Sequence, residues 1–90
     1  MNIRIIDFYA DWCQPCKSLA PVLNKVTEER GLELTKVNVD DDKDGLSAEY
    51  KIRSVPTVVV LKSENGNDVE ITRFSGTKSE SELNSIFNNL

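Results

Sequence analysis

The apolar positions of the chain fall into two spacings, and the switches between them mark out the elements. Ile3 to Tyr9 (IRIIDFY) is β-branched and aromatic and almost continuously apolar, interrupted by Asp7. That pattern predicts a strand buried on both faces, as in a parallel sheet. From Cys13 onward the period changes: Cys16, Leu19, Ala20, Leu23, Val26 and Thr27 recur at helical spacing up to Arg30-Gly31, where a glycine suits the C-terminal cap. Pro21 lies within this helix and is expected to kink it, because it donates no N–H and its ring crowds the preceding turn. Leu34 to Val39 (LTKVNV) alternates apolar and polar, the mark of a strand with one less protected face. An acidic stretch (DDDKDG, 40–45) leads to a short helix at Leu46 to Tyr50, and Thr57 to Lys62 (TVVVLK) predicts a second buried strand. Ser63 to Asp68 contains Asn-Gly and reads as the connection of a hairpin to a strand at Val69–Phe74. Ser79 and Glu82 form a capping-box pair ahead of a helix with Leu83, Ile86, Phe87 and Leu90 on one face. The order βαβαββα implies an α/β fold with a four-stranded mixed sheet, since strand–helix–strand units pair in parallel and hairpins antiparallel.

Composition narrows the class without changing this outline. The chain has 90 residues, 39% hydrophobic and 29% charged, which fits one globular domain over 1–90. The longest apolar run, Val58 to Leu61, is far shorter than a membrane span, and Asp7 interrupts the first apolar segment before it resembles a signal peptide. A cytoplasmic protein without membrane partners is therefore expected. The net charge of −4 opposes binding to a phosphate backbone, so no nucleic-acid partner is expected. There is no histidine, so proton transfer near neutral pH falls to a perturbed carboxylate, lysine or thiol.

Both cysteines of the chain stand together in Trp12-Cys13-Gln14-Pro15-Cys16-Lys17. As two buried core residues they would both lie within the helix, yet Cys13 precedes the helical pattern. As metal ligands they fall short of the four that a structural zinc site needs, which leaves only a cluster shared across a dimer. As a dithiol they have a mechanism. Cys13 sits at the amino end of the helix, where unpaired N–H groups and the helix dipole favour thiolate over thiol. Each unit by which the pKa falls corresponds to about 1.4 kcal/mol of thiolate stabilisation. Pro15 is suited to the first helical turn, and Gln14 is the exposed position that tunes the redox potential. Cys16, one turn in, is expected to be the less accessible and to act as the resolving thiol, with Cys13 as the attacking one. Asp40, Asp42, Asp44 and Gly45 match the first half of a calcium loop, but Lys51 stands where the bidentate glutamate belongs, so no metal is expected.

With FYADWCQPCKSLAP (8–21), VNVDDD (37–42), YKIRSVPT (50–57) and FSGTKS (74–79) in order and spacing, nearly the whole chain resembles the thioredoxin family. The resemblance implies a thiol–disulfide oxidoreductase that reduces protein disulfides through a mixed-disulfide intermediate, with Cys13 and Cys16 as the redox-active pair and no cofactor. It also implies disulfide-containing protein substrates, a thioredoxin reductase or equivalent dithiol donor as partner, and a monomer. Asp7 corresponds to the buried acid that deprotonates the resolving cysteine, and Lys36 to the lysine that modulates that acid. Pro56 corresponds to a proline in cis to Val55, a rare bond that frees the Val55 backbone to pair with substrate. Trp12, Pro15 and Gly76 would complete an apolar contact surface. Two departures stand out. The chain begins at the strand that follows the family's usual first strand and helix, giving a minimal version near glutaredoxin size, and Gln14 replaces a glycine. A glutaredoxin-like role, an oxidase or isomerase, and a binding module with incidental thiols are the alternatives. A glutaredoxin is disfavoured because Cys-Pro-Tyr-Cys and a late Gly-Gly are absent.

Overall fold

In the computed structural model, which describes residues 2–90, the apolar run Ile3–Tyr9 forms strand β1 in the interior of a four-stranded sheet. It pairs in parallel with β2 (Glu33–Asn38) and antiparallel with β3 (Thr57–Glu64), and β3 pairs antiparallel with β4 (Asn67–Ser75). The sheet order is β2-β1-β3-β4. Helix α1 (Gln14–Glu29) makes the crossover from β1 to β2, the short α2 (Leu46–Glu49) lies between β2 and β3, and α3 (Glu80–Asn88) closes the chain. This is the mixed α/β sheet with three helices that the apolar periodicities predict.

Alternation along the two interior strands divides the core into two layers. Ile3 and Ile5 of β1 and Val58 and Val60 of β3 pack with Leu19, Leu23 and Val26 of α1 and Leu83 and Phe87 of α3. Ile6, Phe8, Val59 and Leu61 point to the other face, where Val37, Leu46, Tyr50 and Ile52 cover them. Burying each such aliphatic side chain stabilises the fold by about 1.5–3 kcal/mol, so the two interior strands hold most of the apolar stabilisation. The same alternation puts Asp7 on the α1 face, continuing the row of Ile3 and Ile5. Among the described residues, Asp7 is the one buried carboxylate, set in a row that is otherwise apolar.

The helix ends are built as the sequence indicates. Gly31, at φ +65°, follows α1; its N–H donates to the Glu28 carbonyl and that of Leu32 to the Thr27 carbonyl, the paired bonds of a Schellman ending. At α3 the Ser79 hydroxyl accepts from the Glu82 N–H (3.1 Å), and the Glu82 carboxylate accepts from the Ser79 N–H (2.9 Å). Ser79→Ala is expected to destabilise the protein by about 1 kcal/mol in urea unfolding. An unchanged midpoint would mean that docking of Leu83 and Phe87 alone holds this turn.

The hairpin differs from the expectation. Residues 63–68 are not a loop: Ser63 pairs with Asp68 and Glu64 with Asn67, leaving only Asn65-Gly66 as the turn. Both turn residues have positive φ (+52° and +83°), as a type I′ turn requires. The strand ends here are polar because they are exposed, which is why apolar patterning stops short of them. Farther along, Val60 pairs with Thr72 and Leu61 with Glu70, so Ile71 is the extra residue of a β-bulge. At the other edge, β2 ends one residue early and Val39 opens a 3-10 turn, Val39–Asp41.

Candidate active site

Strand β1 ends at Tyr9, and a tight turn closed by the Cys13 N–H donating to the Ala10 carbonyl (3.1 Å) delivers the chain to α1. Cys13 is the N-cap, with extended backbone, and Pro15 occupies the first helical turn, where its missing N–H leaves no bond unmade. The Cys16 N–H donates to the Cys13 Sγ at 3.2 Å, so a backbone dipole and a helix terminus both face that sulfur. The Cα atoms are 5.3 Å apart and the two residues form a disulfide. One expectation is corrected. Cys13 and Cys16 are 3% and 5% exposed, so Cys16 is not the more hidden of the two. Tyr9, Val39 and Val55 pack against the cluster of Ala10, Cys13 and Cys16, and it is the capping position, not accessibility, that separates the two sulfurs. Gln14, the first residue of α1, is exposed.

Trp12 is 70% exposed, yet its indole is fixed: Nε1–H donates to the Asp40 carboxylate at 2.8 Å. Asp40 in turn is held by its own N–H donating to the Asn38 side chain (3.0 Å). Neither acceptor is visible in the sequence, because no periodicity links a tryptophan to a carboxylate 28 residues later. Asp42, singled out by the calcium-loop pattern, instead caps α2: its carboxylate accepts from the N–H groups of Leu46 (3.0 Å) and Ser47 (2.7 Å).

Asp7 is 3% exposed, and its Oδ1 has no hydrogen-bond partner among the described residues. Burial raises its pKa from 3.8 to about 6, with the positive charge of Lys36 opposing the rise. Lys36 lies directly across the β1–β2 ladder from Asp7. It is exposed and makes no hydrogen bond to the acid. Asp7 and Cys16 line one cavity of about 240 Å³, together with Tyr9, Lys17 and Lys36. The acid therefore faces the second cysteine across a space open to solvent.

The loop before β3 completes the site. The Val55–Pro56 peptide is cis, and Val55 packs against the cysteine cluster. No backbone hydrogen bond engages Val55 among the described residues. Gly76, at φ +82°, donates its N–H to the Pro56 carbonyl (3.0 Å), and the Thr57 hydroxyl donates to the Ser54 carbonyl (2.7 Å). Val55 thus packs against the cysteine cluster with Pro56 next in the chain and Gly76 bonded to it, Trp12 shares a groove with Val55, and Asp7 and Lys36 line the cavity on the Cys16 side.

The sequence model of the thioredoxin family matches residues 1–89. The chain belongs to the thioredoxin family. It is 38% identical to a thioredoxin of Porphyra purpurea over 82 residues, covering 89% of this chain and 76% of that one. It is 40% identical to the mitochondrial thioredoxin of Bos taurus over 88 residues, 96% of this chain but half (50%) of that relative's length. Among solved structures, the germline-specific thioredoxin Deadhead of Drosophila melanogaster superimposes with a TM-score of 0.83 at 28% identity, covering 99% of this chain and 81% of that one. A thioredoxin fold with a Cys13–Cys16 disulfide supports thiol–disulfide oxidoreductase chemistry, and the family implies protein disulfides and a reductase as partners in general terms. No helix of the described residues is long and apolar enough to cross a membrane.

Proposed function

We propose that this protein reduces disulfide bonds in other proteins, and that the position of Cys13 at the amino end of α1 carries the reaction. In the reduced protein, the Cys13 thiolate attacks one sulfur of the substrate disulfide; a Cys13–substrate bond forms and the substrate's other sulfur leaves as thiolate. Cys16 gives up its proton to the Asp7 carboxylate and attacks Cys13 Sγ. The mixed disulfide breaks, the substrate leaves as a dithiol, and Cys13–Cys16 is left oxidised. Two electrons pass to the substrate, and a dithiol donor or reductase must return them. The cavity shared by Asp7 and Cys16 supports Asp7 as the base, and Lys36 would moderate its affinity for the proton. The unengaged backbone of Val55, flanked by Pro56, Gly76 and Trp12, suits an extended substrate segment added as a short strand. Gln14 and Pro15 would border that segment from the helix side. A reducing compartment suits this direction of electron flow.

The test is a trap. Cys16→Ser should accumulate a covalent adduct with oxidised insulin through Cys13, resistant to denaturant and released by dithiothreitol. Failure to form any adduct, with wild-type turnover intact, would reject the two-step mechanism.

A further inference from the structure

Beside Trp12 runs a groove of about 200 Å³ whose walls include Trp12, Val39, Ile52, Arg53, Ser54 and Val55. Its apolar side is continuous with the cysteine cluster through Val39 and Val55. Arg53 is its one cationic wall, and the disulfide chemistry makes no use of it. The chain's other arginines are committed: Arg4 to Glu33 and Asp68, Arg73 to Glu70, and Arg30 to Asn84 and Asn88. Arg53 is exposed and, among the described residues, makes neither an ion pair nor a hydrogen bond. On the Trp12 side the Asp40 carboxylate accepts from the indole and is not paired with Arg53. The groove therefore presents an unneutralised guanidinium in a chain of net charge −4.

Its place in the chain gives that charge a use. Arg53 comes two residues before Val55, so a segment lying along the Val55 backbone would carry its neighbouring side chains past the guanidinium. A guanidinium fits a carboxylate with paired, parallel hydrogen bonds and repels an ammonium group. We propose that Arg53 is a specificity residue that favours substrate disulfides whose cysteine is flanked by an acidic side chain. This rests on the disulfide-reductase reading above.

The experiment uses disulfide-linked peptides identical except for Glu, Gln or Lys beside the cysteine, with dithiothreitol recycling, and reads the Glu-to-Lys ratio of kcat/KM. The expected ratio is about fivefold at low salt, the size of two modest exposed charge interactions, and it should shrink at 0.5 M salt. Arg53→Gln should bring the ratio to about one, Arg53→Glu should invert it, and Arg53→Lys should keep its direction. A ratio that survives Arg53→Gln, or that equals one in the wild type, overturns the assignment of Arg53. Because each ratio is internal to one variant, partial loss of folded protein does not imitate the effect. If the wild type reduces none of the peptides, the Gln peptide included, then the reductase reading itself fails and takes the proposal with it.

Discussion

Cys13→Ser is expected to lower dithiothreitol-driven insulin reduction by about two orders of magnitude or more, to the rate of dithiothreitol alone. The hydroxyl is not ionised near neutral pH, and an oxygen in place of Sγ forms no mixed disulfide. The substitution separates chemistry from folding, because serine is itself a favoured N-cap and keeps an acceptor for the Cys16 N–H. Relative to the oxidised wild type it also loses the crosslink, worth about 2 kcal/mol for so short a loop. The fair reference is therefore the reduced wild type, against which stability should change little. If Cys13→Ser keeps turnover while Cys16→Ser abolishes it, the roles assigned to the two sulfurs are reversed.

Asp7→Ala should act on stability and on turnover in opposite directions. In the folded protein Asp7 has a pKa of about 6, against 3.8 as the ordinary value that serves for the unfolded chain. Between those values the folded state holds a proton that the unfolded state has released, so raising the pH through this window destabilises the fold. The contribution is fully present below pH 4 and lost above pH 6. At pH 7 the ionised, unpartnered acid is therefore a liability, and removing it should stabilise the oxidised protein by about 2 kcal/mol after allowing for the small cavity left behind. At pH 3, where the acid is mostly protonated in both states, the gain should disappear. Turnover should fall for lack of a proton acceptor near Cys16, and the wild type should lose rate as the pH drops through 6. Equal stability of variant and wild type at pH 7 would mean that the Asp7 carboxylate reaches water and is not desolvated.

Much of the fold was legible because its apolar runs are long and of two clear kinds. The near-continuous strands around Ile5 and Val59 could only be interior, and the 3.6-residue spacing from Cys16 to Val26 could only be a helix against them. Polar segments were legible only where a specific local bond governs them, as in the Ser79–Glu82 box or Gly31 after α1. Where side chains meet across the fold, local pattern was silent: the exposed polar ends of β3 and β4, the Trp12–Asp40 bond and the open Arg53 are products of tertiary placement. Asp7 showed in the pattern only as a polar break in an apolar strand and took its role from the family resemblance, whereas the cysteine pair was legible from its position before the helix. The burial of Cys13 was not, since it comes from Tyr9, Val39 and Val55, residues of three separate segments.

The bulge at Ile71 also bears on how the molecule avoids its own kind. Strand β4 lies at the edge of the sheet, with Val69 and Ile71 44% and 41% exposed, a surface that could template stacking of one copy on another. The extra residue twists that rim out of flatness, and Asp68, Glu70 and Arg73 place charges along it. An irregularity of a single residue thus breaks the flat, regular rim that strand-to-strand stacking needs, which a straight, perfectly paired strand would present.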